Sequence, residues 1–172
     1  MNILKTHYHS SIESLDGKTI FTRLSTRAIT INRNNILLMY TERYDDYSLP
    51  GGGLHENENY IDGMLRELSE ETGAQNITNI KPFGIYEEYR PWYKPEFDIQ
   101  HMISYCYTCD VDIKLGEAQL ECNEIKNGMK ALWIDVDEAI AFNEMTIANN
   151  DKKGMSIERE TYLLKLIAKQ LM

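Results

Sequence analysis

The chain has 172 residues, enough for one domain with a sizeable core. It is 42% hydrophobic and 26% charged, the mix of an ordinary soluble globular protein. Its 18 Lys and Arg stand against 27 Asp and Glu, a net charge of -9. Such a surface repels nucleic-acid backbones and anionic membranes, which excludes polymer binding through a basic face. An anionic ligand would need a cation as intermediary.

The opening MNILKTHYHSSIES has no apolar signal-peptide core, and no run approaches the roughly 20 apolar residues of a membrane span. Residues 1–20 are mixed and suggest no definite element. Residues 27–32 and 35–40 read as short strands, with polar Asn32 to Asn35 as a hairpin turn between them. Helical periodicity covers about residues 59–72, where Ile61, Met64, Leu65 and Leu68 form an apolar stripe. Gly73 suits the left-handed end of that helix, and Gly63 is a weak point inside it. Strand-like stretches follow near 78–90, 99–111 and 130–135. Asp135 resembles a helix cap with Glu138 three residues on. Residues 156–171 form a terminal helix with Leu163, Leu164, Ile167 and Leu171 as its stripe. Strands before, between and after helices predict a mixed α/β layer protein. Cys106 and Cys109 have CxxC spacing, but no second pair follows and their segment reads as a strand. They are expected to be structural thiols, and with Cys122 they fit a reducing cytoplasm.

The most informative stretch is residues 50–74, PGGGLHENENYIDGMLRELSEETGA. Glu67, Glu70 and Glu71 sit at i, i+3 and i+4, so one helix face carries all three within about one turn. That face lies roughly 100–120° from the centre of the apolar stripe. The carboxylates repel one another, and the helix dipole disfavours anions in this half. Two readings follow: a solvated acidic edge, or a site for a cation. All-oxygen ligands suit Mg²⁺, Mn²⁺ or Ca²⁺. The glycines let a backbone approach a ligand closely.

The same stretch resembles the box of the Nudix (MutT-like) hydrolases. Gly52 is followed after five residues by Glu58, and after seven more by Arg66-Glu67-Leu68-Ser69-Glu70-Glu71-Thr72-Gly73. Only the last apolar slot departs from the pattern, with Ala74 in place of a larger residue. Residues 48–53, the hairpin-like 27–40 and the run starting at Trp133 extend the resemblance over about residues 25–145. It implies a single domain over 1–172 with an α/β/α sandwich fold. It implies hydrolysis of a nucleoside diphosphate linked to another moiety: a nucleotide, a nucleotide sugar or a dinucleoside polyphosphate. Glu67, Glu70 and Glu71 would ligate Mg²⁺, or Mn²⁺, with a backbone carbonyl of Gly51 or Gly52 added. Glu58 and Arg66 would support them. The general base is sought in Glu70, Glu71 or a glutamate outside the box; of Glu117, Glu121 and Glu124, Glu124 is the choice. His55 is read as a surface histidine.

The segment from Ile85 to Phe97 is rich in aromatic residues and cations. Tyr89, Arg90, Trp92 and Tyr93 are its candidate substrate contacts, by stacking on a base and pairing with phosphate. Tyr86 and Tyr89 also fit as strand core residues. The partner expected is a small nucleoside diphosphate derivative, with neither a nucleic-acid polymer nor a membrane. A monomer and a homodimer both stay open. The competing functional reading is a Nudix-fold nucleotide sensor that turns nothing over; an isomerase is more remote. A pure sensor has no need of all three box glutamates.

Overall fold

The computed structural model describes every residue except Lys152. In chain order the elements are β1 (Ile3–Tyr8), β2 (Ile20–Ile29), β3 (Ile31–Asn32), β4 (Asn35–Thr41), β5 (Asp46–Ser48), α1 (Tyr60–Thr72), β6 (Thr78–Pro91), β7 (Ile99–Asp110), α2 (Cys122–Lys126), β8 (Met129–Asp135), α3 (Val136–Asn149) and α4 (Ile157–Leu171). One sheet has the order β1-β6-β7-β2, with β6 and β7 antiparallel and the two outer strands parallel to their neighbours. The other joins β3, β4 and β5, with β8 antiparallel along β4. Where β2 ends, Leu37 N–H donates to the Thr30 carbonyl at 3.0 Å and ties the two sheets together.

Strand alternation sends successive side chains to opposite faces and makes two cores. Ile29, Ile36, Leu38, Tyr86 and Cys106 meet Val136, Ala139, Leu163, Leu164 and Ile167 of α3 and α4. Ala28, Leu37, Tyr107 and Cys109 meet Met64 and Leu68 of α1 on the other face. The result is the expected α/β/α sandwich, built on one mixed and one antiparallel sheet. Leu163, Leu164 and Ile167 are fully buried, each stabilising the fold by about 1.5–3 kcal/mol. Leu171 in the final turn is 43% exposed and falls outside the expected stripe. Among the described residues, no helix is long and apolar enough to cross a membrane.

Residues 1–20 hold β1, a strand whose half-exposed, mixed sequence carried no clear period. β2 starts at Ile20, well before residue 27, because its first half pairs along β7 while its other sides stay accessible. The 32–35 turn closes the β3–β4 hairpin with Asn32 opposite Asn35. Cys106 and Cys109 are free and lie in different cores, on opposite faces of β7. That separation removes them from any shared metal or disulfide.

Helix α1 begins where the Asn59 side chain accepts from Asp62 N–H. It ends at Gly73, whose φ of 69° is left-handed and whose N–H reaches the Ser69 carbonyl. Its buried face runs through Met64, Leu68, Glu71 and Thr72. Ile61, expected in the stripe, lies in the first turn and is 42% exposed. Asp135 caps α3 by accepting from the Asp137 and Glu138 N–H groups at 2.9 and 3.3 Å.

Gly63 is a packing requirement as well as a weak helix former. A Cβ there would lie 2.3 Å from Leu54 Cδ2, beside the glycine loop. Gly63→Ala therefore overpacks this contact. We expect a net loss of about 1–3 kcal/mol in denaturant unfolding, despite alanine's better helix propensity. A stabilised variant would show that Leu54 yields freely.

Candidate active site

Residues 50–54 run beside β2. Ala28 N–H donates to the Pro50 carbonyl, Thr26 N–H to the Gly52 carbonyl and Leu54 N–H to the Leu24 carbonyl, at 2.9–3.1 Å. Gly51 has φ 137°, and a Cβ would come 2.1 Å from the Thr26 carbonyl oxygen, so only glycine fits. At Gly52 a Cβ would come 2.5 Å from Glu67 Oε1. The loop is thus held between β2 and the carboxylates of α1.

Glu67, Glu71 and Glu124 bring carboxylate oxygens within 4.8 Å of one another. Glu71 is 4% exposed, and its Oε2 accepts from Gly51 N–H at 2.6 Å. Burial pushes its carboxyl up to about 8; the Gly51 N–H and Arg27 oppose this, while Glu67 and Glu124 add to it. Glu124 reaches the group because the chain folds back over the end of α1. Gly116 N–H donates to the Gly73 carbonyl at 2.7 Å, and Gln119 N–H to the Glu70 carbonyl at 2.6 Å. Glu124 lies on short α2, where its Oε2 accepts from Glu121 N–H at 2.7 Å. Burial raises its carboxyl too, helped by Glu121, Glu67 and Glu70.

Arg66 ties the acidic side chains together. Its Nε and Nη2 grip both oxygens of Glu58 at 2.8 and 2.9 Å. Its Nη1 donates to Glu67 at 2.9 Å and to Glu70 at 3.3 Å, and Nη2 also reaches the Gly53 carbonyl at 3.2 Å. The bidentate pairing with Arg66 holds the Glu58 carboxyl down at about 2.

A cavity of about 460 Å³ adjoins this centre, and Gly51 and Glu71 belong to its wall. Tyr44, Trp92 and Tyr93 also line it, as do the buried Arg27, Asp46, Gln100, Arg159 and Glu160. Arg159 donates to Glu88 at 2.5 Å and to Glu160 at 2.7 Å, and Glu160 accepts from Leu49 N–H at 2.9 Å.

A family model for the NUDIX domain matches residues 22–156. The chain belongs to the Nudix family. A stretch of 57 residues is 40% identical to the RNA pyrophosphohydrolase of Bartonella henselae, covering 33% of this chain and 30% of that protein. The chain therefore matches under a third of that relative's length. Two solved structures, each 18% identical, share the fold. The NUDIX hydrolase from Nitrosomonas europaea has a TM-score of 0.60 over 87% of this chain and 91% of its own. The mutator MutT protein from Bacillus halodurans has 0.57 over 83% and 80%.

Within this Nudix domain the expected site residues fall into separate places. Glu67 and Glu71 share a tight group with Glu124, which α2 rather than an open loop presents. Glu70 lies beside that group, its side chain 42% exposed and paired with Arg66. The Gly52 carbonyl is already bonded to Thr26 N–H, while the bare Cα side of Gly52 faces Glu67. Glu58 and Arg66 are joined as described. Exposed His55 meets Glu58 through its backbone N–H. Arg90, Trp92 and Tyr93 line the cavity, but Tyr89 does not. Its neighbour Arg90 takes the cavity face of β6, and Tyr89 stacks on the other between Tyr8 and His101, at 4.8 and 4.2 Å. Arg27, Asp46, Gln100 and Glu160 were not foreseen. They come from β2, β5, β7 and α4, and no local spacing links them.

The Glu58–Arg66 pair predicts an acid limit. Glu58 titrates lower in the folded chain, about 2 against an ordinary 4.5, so ionisation favours folding. This contribution is complete above about 4.5 and is lost as pH falls from there toward 2. Urea unfolding across that window should show stability dropping with acidity in the wild type. Glu58→Gln should start lower at neutral pH and flatten the slope.

Proposed function

We propose that the protein is a divalent-metal-dependent pyrophosphohydrolase. Its substrate class is a nucleoside diphosphate linked to another moiety. The observation that carries this reading is the convergence of Glu67, Glu71 and Glu124 to within 4.8 Å, with Glu71 also in the wall of a cavity that can admit a small molecule. Family membership supports it. A nucleotide sensor without turnover would gain nothing from such a group.

The donors fit a hard cation. All are carboxylate oxygens, and the upward shifts at Glu71 and Glu124 include the mutual repulsion that a cation would relieve. Glu67 and Glu71 would hold Mg²⁺ or Mn²⁺, with Glu70 alongside and Glu124 beside them. The bound ion would neutralise the diphosphate, polarise its phosphoryl oxygens and acidify water.

The chain's own residues supply the rest. Arg66 restrains Glu67 and Glu70 through its guanidinium. The glycine loop holds Glu71 and leaves space beside Glu67. Water oxygen bonds to one phosphorus of the anhydride as its bridging P–O bond breaks, releasing two phosphoryl products. Glu124, which reaches this group from α2 and not from the carboxylate helix, takes the proton from that water. Arg90, Trp92 and Tyr93 bound the cavity that positions the remainder of the substrate. We place the reaction in the cytoplasm, a reading supported by three free cysteines.

A panel of nucleotides, nucleotide sugars and dinucleoside polyphosphates, assayed with Mg²⁺ for released phosphate, pyrophosphate or mononucleotide, tests this. Glu67→Gln, Glu71→Gln and Glu124→Gln should each lower kcat about 100-fold or more, with unchanged circular dichroism. Half-exposed Glu70 should matter less. Chelation should abolish turnover and Mg²⁺ restore it. Wild-type rates in the three variants would sink the carboxylate assignment. No turnover across the panel would favour the sensor.

A further inference from the structure

The cavity beside the carboxylates is rich in cations, in a chain whose net charge is -9. Arg23, Arg27, Arg90, Lys153 and Arg159 line it, against Asp46, Glu71 and Glu160. Burial pushes the Asp46 carboxyl up to about 7, with Glu160 and Asp45 adding and Arg159 opposing, so it is partly neutral near pH 7. The cations also crowd one another. Arg90 is pushed below its ordinary value by burial first; Glu88 opposes this, while Arg159, Arg27 and Arg23 add to it.

Most of these cations have partners. Arg159 pairs with Glu88 and Glu160, and Arg27 Nε lies 3.8 Å from Glu160. Arg90 lies 3.6 Å from Glu88 and donates to Gln100 Oε1 at 2.7 Å. Lys153 Nζ donates to the Ile147 carbonyl at 2.9 Å. Arg23 is the exception. It is exposed on β2, and its side chain makes no hydrogen bond or ion pair among the described residues.

Its location separates it from an ordinary surface arginine. A Cβ at Gly53 would come 2.6 Å from Arg23 Nη2 and 2.8 Å from its Nε, so the guanidinium lies against the bare side of that glycine. Along three successive glycines, Gly51 meets Glu71, Gly52 meets Glu67 and Gly53 meets Arg23. Neighbouring Cα atoms are about 3.8 Å apart, so a free cation stands one residue along the loop from the carboxylates. That step is comparable with the spacing of linked phosphoryl groups.

We propose that Arg23 grips a further phosphoryl group of the substrate, beyond the diphosphate, and so selects polyphosphates of three or more phosphoryl groups over nucleotide sugars. The proposal rests on the hydrolase reading above and narrows its substrate class. A planar guanidinium donates two parallel N–H bonds to phosphate oxygens. Arg90 and Lys153 add positive charge from the cavity wall. A neutral sugar in that place gains no charge-assisted bond.

Uridine 5′-triphosphate and a uridine diphosphate sugar share a base and differ in the group beyond the diphosphate. With Mg²⁺, the wild type should show a kcat/KM about tenfold to a hundredfold higher for the triphosphate. Arg23→Ala should raise KM for the triphosphate by that factor, with a smaller effect on kcat, and leave KM for the sugar substrate unchanged. Arg23→Lys keeps the charge and should recover part of the loss. Lys169→Ala, at an exposed site on α4 outside the cavity, removes a charge elsewhere and should change nothing. Calorimetry of inorganic tripolyphosphate binding to the full chain, without divalent metal, needs no turnover; Arg23→Ala should weaken that binding about tenfold or more. Equal KM shifts for both substrates, no wild-type binding of tripolyphosphate, or binding that Arg23→Ala leaves unchanged would overturn the proposal. No turnover of either substrate, with tripolyphosphate binding still weakened in Arg23→Ala, would instead count against the hydrolase reading alone.

Discussion

The short hydrogen bond from Gly51 N–H to the Glu71 carboxylate at 2.6 Å joins the two halves of the candidate site, with Arg66 Nη2 to the Gly53 carbonyl at 3.2 Å beside it. On one side it draws a buried carboxylate of α1 against the glycine loop. On the other, that loop is bonded along β2 through Pro50, Gly52 and Leu54. The positions of Glu67, Glu124 and the cavity wall all refer to this junction. It also explains why residues 51 and 52 are glycines: one Cβ would strike the β2 backbone and the other the Glu67 carboxylate.

The junction concentrates negative charge, and the surrounding structure limits the repulsion. Arg66 is shared among Glu58, Glu67 and Glu70, so the outer part of the cluster has a cation of its own. Glu71 and Glu124 lie outside its reach, and burial first, then their acidic neighbours, raises their proton affinities. The balance leaves a group held rigidly by the protein but still short of positive charge. On the cavity side buried Arg159 pairs with Glu88 and Glu160, and Arg27 Nε lies 3.8 Å from Glu160.

Much of this was legible from local pattern. Met64 and Leu68 at helical spacing placed α1 against the sheet, and Gly73 marked its end. The motif spacing from Gly52 to Gly73 identified the family and put Glu67, Glu70 and Glu71 on one helix. β1 was hidden because its six residues are half-exposed and mixed, and β5 because it is three residues long. Ile61 was misplaced because periodicity describes an endless helix, while the first turn of α1 lies outside the buried face. Tyr89 looked like a partner of Arg90 and Trp92, but strand alternation sends it to the opposite face.

By itself, the sequence determined the family, the carboxylate helix and the layered fold, because each is written in short-range spacing that backbone geometry enforces. Tertiary structure alone decided which carboxylates meet. Glu70, on the same helix as Glu67 and Glu71, stays at the edge, while Glu124 joins them from a distant segment. It likewise decided that Arg27, Gln100 and Glu160 share a cavity with Asp46. Those contacts depend on how two sheets and α4 pack together, and burial in that packing gives each polar group its charge state and its unpaired atoms.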